Sequence, residues 1–230
     1  MKKISLIISF VVLFALGGNA QSGDFRFGLK LGPSFDWASS GSVQVENKGV
    51  RLGFNAGLVL DYYLTDHIAA SSGINYNSSR MKYSFTDYRR AEDFLEEANM
   101  PVLRRLKASG IEIPLQFKVK FDVADEFDAY VAAGGSLGFN LKDYVKDEYS
   151  FYWNEYQSEV YEDYTNQYRA FQASLVFGLG AEYEINRNFS VFAQLTFNHA
   201  LLNAFVSSLE KQTGSILRNN FIGVEVGIMH

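Results

Sequence analysis

The chain has 230 residues, a formal net charge of −5 and no cysteine. The length suits a single domain, and the acidic balance argues against nucleic acid as a partner, because duplex binding relies on basic surfaces. The absence of cysteine excludes a lipoprotein anchor, disulfides, thiolate metal sites and cysteine nucleophiles.

The amino terminus predicts a secretory signal peptide. Met1-Lys2-Lys3 is a positively charged start, the run from 4 to 16 is uncharged and apolar, and small residues over 17–20 allow cleavage after Ala20. The alternative is a membrane anchor, but the run is shorter than the roughly 20 residues that span a bilayer. We therefore expect a signal peptide over 1–20 and one exported domain over 21–230.

Eight segments of alternating apolar and polar residues follow, beginning at Phe25 and ending near Ile228. The fourth is the most regular: its apolar residues are Ile111, Ile113, Leu115, Phe117, Val119 and Phe121. Alternation with period two over about ten residues is typical of transmembrane β-strands. The sequence predicts an all-β fold, an eight-stranded antiparallel up-and-down transmembrane β-barrel.

The connections between these segments are alternately short and long. The short ones lie at 64–67, 122–126 and 186–188, and the long ones at 37–49, 79–109, 142–168 and 203–215. Short periplasmic turns and long external loops are the layout of a barrel in the outer membrane. We therefore expect both termini in the periplasm and localisation in the bacterial outer membrane.

The two faces of the predicted strands differ in size and polarity. Large apolar residues occupy one face, which suits lipid, whereas glycine, alanine, serine and charges of both signs occupy the other, which suits a narrow lumen. The predicted lumen charges are Arg26, Lys30, Lys118, Lys120, Asp61, Glu112, Glu182 and Glu225. Buried charges need partners, so we expect a lumen filled with ion pairs. A gated ion path using Lys30, Lys118, Glu112 and Glu225 is the alternative, and a soluble periplasmic barrel is a minor one.

Aromatic residues lie near both ends of the strands. One set lies beside the short turns: Tyr62, Phe121, Phe127, Tyr183 and Phe189. The other lies near the long loops: Phe35, Trp37, Tyr76, Phe139 and Phe171. This placement predicts two aromatic girdles at the two boundaries between lipid and water.

Several strand motifs resemble one known family. Phe-Gly-Leu-Lys-Leu-Gly-Pro-Ser-Phe over 27–35 is similar to the opening strand of the outer-membrane β-barrel domain abundant in Bacteroidetes, often described as PorT-like. The motifs over 53–58, 111–115 and 178–183 are similar to its later strands. The resemblance covers the mature chain and implies an eight-stranded outer-membrane barrel without catalytic residues. The chain departs from the usual pattern by ending in His230, where a terminal aromatic residue, most often Phe, is expected.

The long connections carry the candidate functional residues. An interaction surface for protein or glycan is predicted in the third one, at Tyr149, Phe151, Tyr152, Trp153, Tyr156, Tyr161 and Tyr164. A strand pair extended above the membrane is an equally good interpretation of that segment. The second connection predicts a short helix over 91–99. Its basic residues could bind the phosphates of lipopolysaccharide, and a solvated face of mixed charge is the alternative that we favour. These basic residues are Arg89, Arg90, Arg104, Arg105 and Lys107.

Catalysis is not expected. The histidines, His67, His199 and His230, show no metal-ligand spacing, and a hydrolase site would need His199 together with loop carboxylates and Ser207 or Ser208. No cofactor is predicted. We expect a structural or surface-interaction protein that contacts outer-membrane lipid, lipopolysaccharide and a surface protein or glycan. A type IX secretion or envelope-assembly accessory and a narrow pore for small solutes are the alternatives.

Overall fold

The computed structural model describes residues 25–40, 45–87, 100–153, 156–164, 168–186, 188–204 and 217–230. The predicted signal peptide over 1–20 and the predicted helix over 91–99 lie outside the described residues. The strands are β1 Phe25–Ser40, β2 Val45–Asn47, β3 Arg51–Thr65, β4 Ile68–Asp87, β5 Met100–Ala124, β6 Phe127–Trp153, β7 Tyr156–Tyr164, β8 Phe171–Asn186, β9 Phe189–Ala200 and β10 Leu217–Met229.

Eight of these strands close into an antiparallel barrel. The order around the ring is β1, β3, β4, β5, β6, β8, β9 and β10, and β1 pairs with β10 from Gly28 opposite Met229 to Ser40 opposite Leu217. The predicted eight-stranded barrel is therefore confirmed. Two further strands lie outside the ring, since β2 pairs with β4 and β7 pairs with β6. Among the described residues there is no helix with the length and apolarity needed to cross a membrane.

The part of the barrel next to the short turns, which we call the lower barrel, carries its apolar residues outward. Leu115 and Phe117 are 58% and 65% exposed, whereas Glu182 on the inner face is fully buried. The two aromatic belts also face outward at opposite ends of the strands, with Phe25 against Tyr62 at 4.6 Å between ring centroids near the turns and Phe139 against Phe171 at 5.6 Å at the other end. Tyr76, Ile111 and Phe139 form the last row of large apolar residues on the outer face of β4, β5 and β6.

Three strands continue well beyond that row. β4, β5 and β6 have 20, 25 and 27 residues, so much of the predicted long connections 79–109 and 142–168 is strand rather than loop. Together with β7 they form what we call the upper sheet. Apolar side chains on its inner face pack with residues from other parts of the chain in a cluster that we call the upper core. Its members are Ala38, Met81, Tyr83, Phe85, Val102, Leu106, Ala108, Val145, Tyr168, Ala204 and Leu217.

A bulge at Leu141 joins the two parts of β6. Ser109 pairs with Lys142 and Gly110 with Asn140, so Leu141 has no partner on β5. One extra residue exchanges the two faces of a strand. Even-numbered residues such as Tyr130 therefore face inward below the bulge, and odd-numbered ones such as Val145 face inward above it.

Glycine on the inner face makes room for the large lumen residues. A Cβ atom at Gly180 would overlap the Tyr130 ring, one at Gly227 would overlap the Phe192 ring, and one at Gly28 would overlap the Met229 sulfur. Tyr130, Phe192 and Met229 form a small apolar cluster within the lumen. The small residues that marked this face in the sequence thus allow bulky side chains from neighbouring strands to lie flat across it.

Candidate functional site

The lumen of the lower barrel is crossed by a network of ion pairs centred on Glu182 of β8. Arg26 of β1 lies 2.5 Å from Glu182, and Lys118 and Lys120 of β5 lie 3.4 and 3.6 Å from it. Lys118 also pairs with Asp61 of β3 at 2.8 Å. Since these strands are not neighbours in the barrel wall, the contacts cross the lumen and link its opposite sides.

Hydrogen bonds complete this layer. Ser190 accepts a hydrogen bond from Arg26 at 2.7 Å and donates one to Glu182 at 2.6 Å. Lys120 makes a further pair with Asp128 at 2.6 Å, and the Lys118 ammonium lies 4.3 Å from the Tyr130 ring centroid. Nearly every charge at this level therefore has a partner of opposite sign, as burial requires.

A second layer is centred on Glu225 of β10. Its carboxylate pairs with Lys30 at 3.0 Å and accepts hydrogen bonds from Gln194 at 2.5 Å and Thr196 at 2.8 Å. The Tyr130 hydroxyl donates to Gln194 at 2.9 Å, which connects this layer to the one below. Two consecutive polar layers thus fill the lumen.

Glu112 differs from the other predicted lumen charges. Its carboxylate accepts hydrogen bonds from the amides of Asn77 and Asn198, the latter at 3.0 Å, and no ion pair to it is found among the described residues. Beyond it lies a cavity of about 80 Å³, whose polar lining includes Asp36, Asn140 and Asn219. A polar cavity of this size has room for a few water molecules.

Ala108 and Tyr168 of the upper core line this cavity, and a buried ion pair lies on the same inner face of the upper sheet. Arg104 contacts Asp147 through two hydrogen bonds of 2.6 and 2.5 Å, and its guanidinium lies 4.8 Å from the Phe85 ring centroid. Burial acts to lower the pKa of Arg104, but the hydrogen bond to Asp147, together with Tyr83 and the charge of Asp147, outweighs it, so the pKa is raised. The expectation that Arg104 faces lipopolysaccharide was wrong, because this side chain points inward. Arg105 and Lys107 are exposed, whereas Arg89 and Arg90 lie outside the described residues.

The aromatic residues predicted as an interaction surface lie on the β6–β7 hairpin. The backbone of β6 pairs with that of β7 from Val145 opposite Tyr164 to Trp153 opposite Tyr156. The hairpin contains Tyr149, Phe151, Tyr152, Trp153, Tyr156, Tyr161 and Tyr164. This segment is therefore the extended strand pair that the sequence left as one of two interpretations.

The three histidines are far apart in the fold. His67, in the turn after β3, lies 3.1 Å from Asp122 near the end of β5, and hydrogen bonding to that carboxylate raises the pKa of His67. His199 stacks on Phe197 in the outer aromatic belt, and His230 stacks on Phe27 across the closing seam. Ser207 and Ser208 lie outside the described residues, within which no cluster of His, Asp and Glu suited to a metal ion is found.

Sequence reasoning missed several members of the polar network. Asp128 is absent from the predicted lumen charges, although it shares the even-numbered inner face of β6 with Tyr130. Ser190 was only one of many small inner residues, and nothing in the alternation marks it as the link between Arg26 and Glu182. Asp147 was missed because the bulge at Leu141 changes the inner face of β6.

A family model described as outer membrane protein beta-barrel domain matches residues 19–206. The chain belongs to this family. Membership supports the bacterial outer membrane as its location, with the apolar outer surface of the lower barrel in lipid. No curated protein matches the chain.

Solved structures of other outer-membrane barrels are similar to this chain. Neisserial surface protein A is 11% identical with a TM-score of 0.42, over 91% of this chain and 98% of that one. The amino-terminal barrel domain of Pseudomonas aeruginosa OprF is 13% identical with a TM-score of 0.40, over 91% of this chain and 100% of that one. The attachment invasion locus protein Ail of Yersinia pestis is 12% identical with a TM-score of 0.33, over 90% and 99%.

Proposed function

We propose that this protein is a plugged outer-membrane barrel that acts as a surface-interaction protein through its upper sheet. The observation that carries the proposal is the open edge of β7, which in the described part of the chain pairs with β6 alone. An unpaired strand edge offers backbone donors and acceptors to an extended segment of another protein. The expected partner is such a segment, and aromatic residues on the hairpin add side-chain contacts to it.

The position of the hairpin supports this role. From Phe139 in the last row of large apolar residues to Trp153, β6 rises about 45 Å along its axis. The pairing of β5 with β6 ends at Val102 opposite Tyr149, so β6 continues past β5 with β7 as its partner. In the proposed orientation the end of the β6–β7 pairing, Trp153 opposite Tyr156, therefore lies away from the membrane.

The polar layers support the plugged lumen. Pairs centred on Glu182 and Glu225 cross the interior, and Ala108 and Tyr168 of the upper core line the cavity above Glu112. An eight-stranded barrel leaves little more than the volume of its own side chains. We therefore propose that the protein neither conducts solutes nor catalyses a reaction, and that contacts with other molecules are made outside the barrel.

Two measurements test the proposal. The barrel in nanodiscs is used to select binders from a displayed library of short random peptides, and their affinities are measured against a variant in which residues 149–164 are replaced by a Gly-Ser turn. We expect binding that is lost in the replacement variant. A second variant, with the seven aromatic residues changed to Thr, retains weaker binding if the strand edge is the main contact. Failure to select any peptide that depends on the hairpin would contradict the proposal.

The alternatives give different results. Sustained single-channel conductance of the refolded chain in planar bilayers would contradict the plugged lumen and favour the pore. The secretion or envelope-assembly alternative is supported only by the resemblance to PorT-like barrels. Loss of cargo export after gene deletion, unchanged by replacing 149–164, would favour it over surface interaction.

A further inference from the structure

The charges inside the barrel balance in the two polar layers but not around the cavity above them. The layer centred on Glu182 contains three cations and three carboxylates, and the layer centred on Glu225 contains one of each. The members of the two layers are Arg26, Lys118 and Lys120 with Asp61, Asp128 and Glu182, and Lys30 with Glu225. The cavity, by contrast, is lined by two carboxylates, Asp36 and Glu112, and within the described part of the chain no lysine or arginine lines it.

Asp36 of β1 is fully buried and has one carboxylate oxygen without a partner. Its Oδ2 accepts a hydrogen bond from the backbone N–H of Arg80 at 2.9 Å, and the hydroxyls of Ser34 and Ser79 are further neutral donors to the carboxylate. The Arg80 side chain is exposed, and Oδ1 of Asp36 has no hydrogen-bond partner among the described residues. A buried carboxylate oxygen that has lost water without gaining a partner is unfavourable, which points to a further molecule or ion in contact with it.

Asn219 of β10 offers a second oxygen of this kind to the same cavity. Its amide nitrogen donates to Ser79 Oγ at 2.7 Å, so the amide is oriented, and its buried Oδ1 has no hydrogen-bond partner in the part of the chain that the structure describes. Ser79 therefore contacts both Asp36 and Asn219. The second carboxylate, Glu112, accepts hydrogen bonds from neutral amides, which leave its charge uncompensated.

A divalent cation would neutralise both carboxylates and take these oxygens as ligands. Ca²⁺ binds about six to eight oxygens of carboxylates, amide carbonyls and water in a flexible geometry, and a cavity of about 80 Å³ has room for an ion with a few waters. We propose that the cavity binds a Ca²⁺ ion, with Asp36 and Asn219 as direct ligands, Glu112 as the second negative charge, and water in the other positions. Such a site differs from a cluster of three or more acidic or histidine residues, which the described residues do not contain. The inference is independent of the proposed function, because the cavity lies inside the barrel and not at the hairpin edge.

The test uses the full barrel in nanodiscs of phosphatidylcholine, refolded with Ca²⁺ present so that access to the buried cavity does not limit binding. Equilibrium dialysis with radioactive Ca²⁺ gives the affinity. We expect about one ion per barrel, and binding about tenfold weaker or more in Asp36→Asn and in Glu112→Gln, because the charge of the ligands sets Ca²⁺ affinity. Glu46→Gln removes an exposed carboxylate outside the lumen and should bind as the wild type does.

A luminescent probe locates the ion. Tb³⁺ takes the place of Ca²⁺ and emits when a nearby tyrosine is excited, and Tyr168 lines the cavity. We expect Tb³⁺ emission that added Ca²⁺ displaces, and weaker emission in Tyr168→Phe, which keeps the aromatic ring in the upper core.

Three outcomes would overturn the proposal. A wild type that binds no Ca²⁺ at about 1 mM, the range of weak extracellular sites, would show that water alone fills the cavity. Unchanged affinity in folded Asp36→Asn and Glu112→Gln would assign the ion to another surface, and displacement of Ca²⁺ by an equal concentration of Mg²⁺ would contradict the choice of cation. Heat-modifiable migration on a gel checks folding of each variant, and the measurement on the wild type does not depend on any of them.

Discussion

The inner face of β5 differs in chemistry between the lower barrel and the upper sheet, although both regions belong to one strand. Below Gly110 the inward residues include Glu112, Lys118 and Lys120, and above it they include Val102 and Leu106. The even-numbered residues face inward throughout, so alternation alone does not distinguish the two regions. The difference comes from the surroundings, because lipid requires an apolar outer surface, whereas water favours burial of apolar residues on the inner face. The inward residues of one strand thus change from polar to apolar where its surroundings change from lipid to water.

The strongest test of this comparison is insertion of one Ser after Leu141. With one more residue beside the bulge, Val145 and Asp147 would turn outward and Lys142 would turn inward. Loss of the Arg104–Asp147 pair alone costs about 3–5 kcal/mol, and lost burial of Val145 adds to it. We expect the upper sheet to become open to protease in proteoliposomes while the lower barrel still migrates as a folded band.

Substitution of Leu141 is the control for that insertion. Leu141→Ser keeps the length of β6 and therefore its inner face, so its upper sheet should resist protease like that of the wild type. Equal protection of the insertion variant would show that the number of residues at the bulge does not set the inner face of the upper sheet.

The variant Glu182→Gln tests how much the ion-pair network stabilises the lower barrel. Three cations, Arg26, Lys118 and Lys120, lie within 2.5 to 3.6 Å of this carboxylate, and its loss leaves them with too few anions. Breaking such a buried network costs about 3–5 kcal/mol of unfolding free energy, measured by urea titration in lipid. Glu184→Gln, two residues away and exposed, is the matched control and should change stability by about 0.5 kcal/mol or less. Similar losses for both variants would argue against the network.

The same substitution on the two faces of β5 sharpens the comparison. Leu106→Ala leaves a cavity in the upper core and costs about 3 kcal/mol of local stability, detected as faster hydrogen exchange in β4 to β6. Leu115→Ala leaves no cavity, since lipid fills the space, and costs about 1–2 kcal/mol in global urea unfolding. The two regions would be a single cooperative unit if both variants affected both measurements equally.

The lower barrel could be predicted from the sequence because its faces are regular. Strands such as β5 alternate without interruption from Ile111 to Phe121, and the predicted short turn after Ala124 is present. The upper sheet could not be predicted in the same way. Its inner face combines apolar residues with the Arg104–Asp147 pair, and its outer face carries many polar and charged residues. In a linear pattern this is indistinguishable from a polar loop with scattered apolar residues.

The pairing of charges within the lumen could not be predicted from the sequence either. Alternation places Arg26, Asp61 and Lys118 on the inner face, but pairing across the lumen depends on strand stagger and side-chain length. The sequence therefore predicts that charges point inward, not that three cations converge on Glu182. Glu112 illustrates the limit, because amide donors and not a cation surround it.

The smallest expected effect concerns the turn end of the barrel, where the side chains are exposed to water. The hydrogen bond to Asp122, together with its charge, raises the pKa of His67, and nearby Asp66 adds a smaller effect of its charge. Folding then favours the protonated imidazole. Any stabilisation is present below the ordinary histidine pKa of about 6.5 and is lost as the pH rises through the value in the folded protein.

An NMR titration of His67 checks this sign. Asp122→Asn should return the pKa of His67 most of the way to its ordinary value, and Asp66→Asn, which removes only a nearby charge, should lower it less. Because His67 and Asp122 are both more than half exposed, solvent screens their interaction, and neither variant should move the urea midpoint detectably. An unchanged titration in Asp122→Asn would show that the two residues do not interact, whereas a shifted midpoint would mean that this exposed pair contributes to stability as the buried pairs of the lumen do.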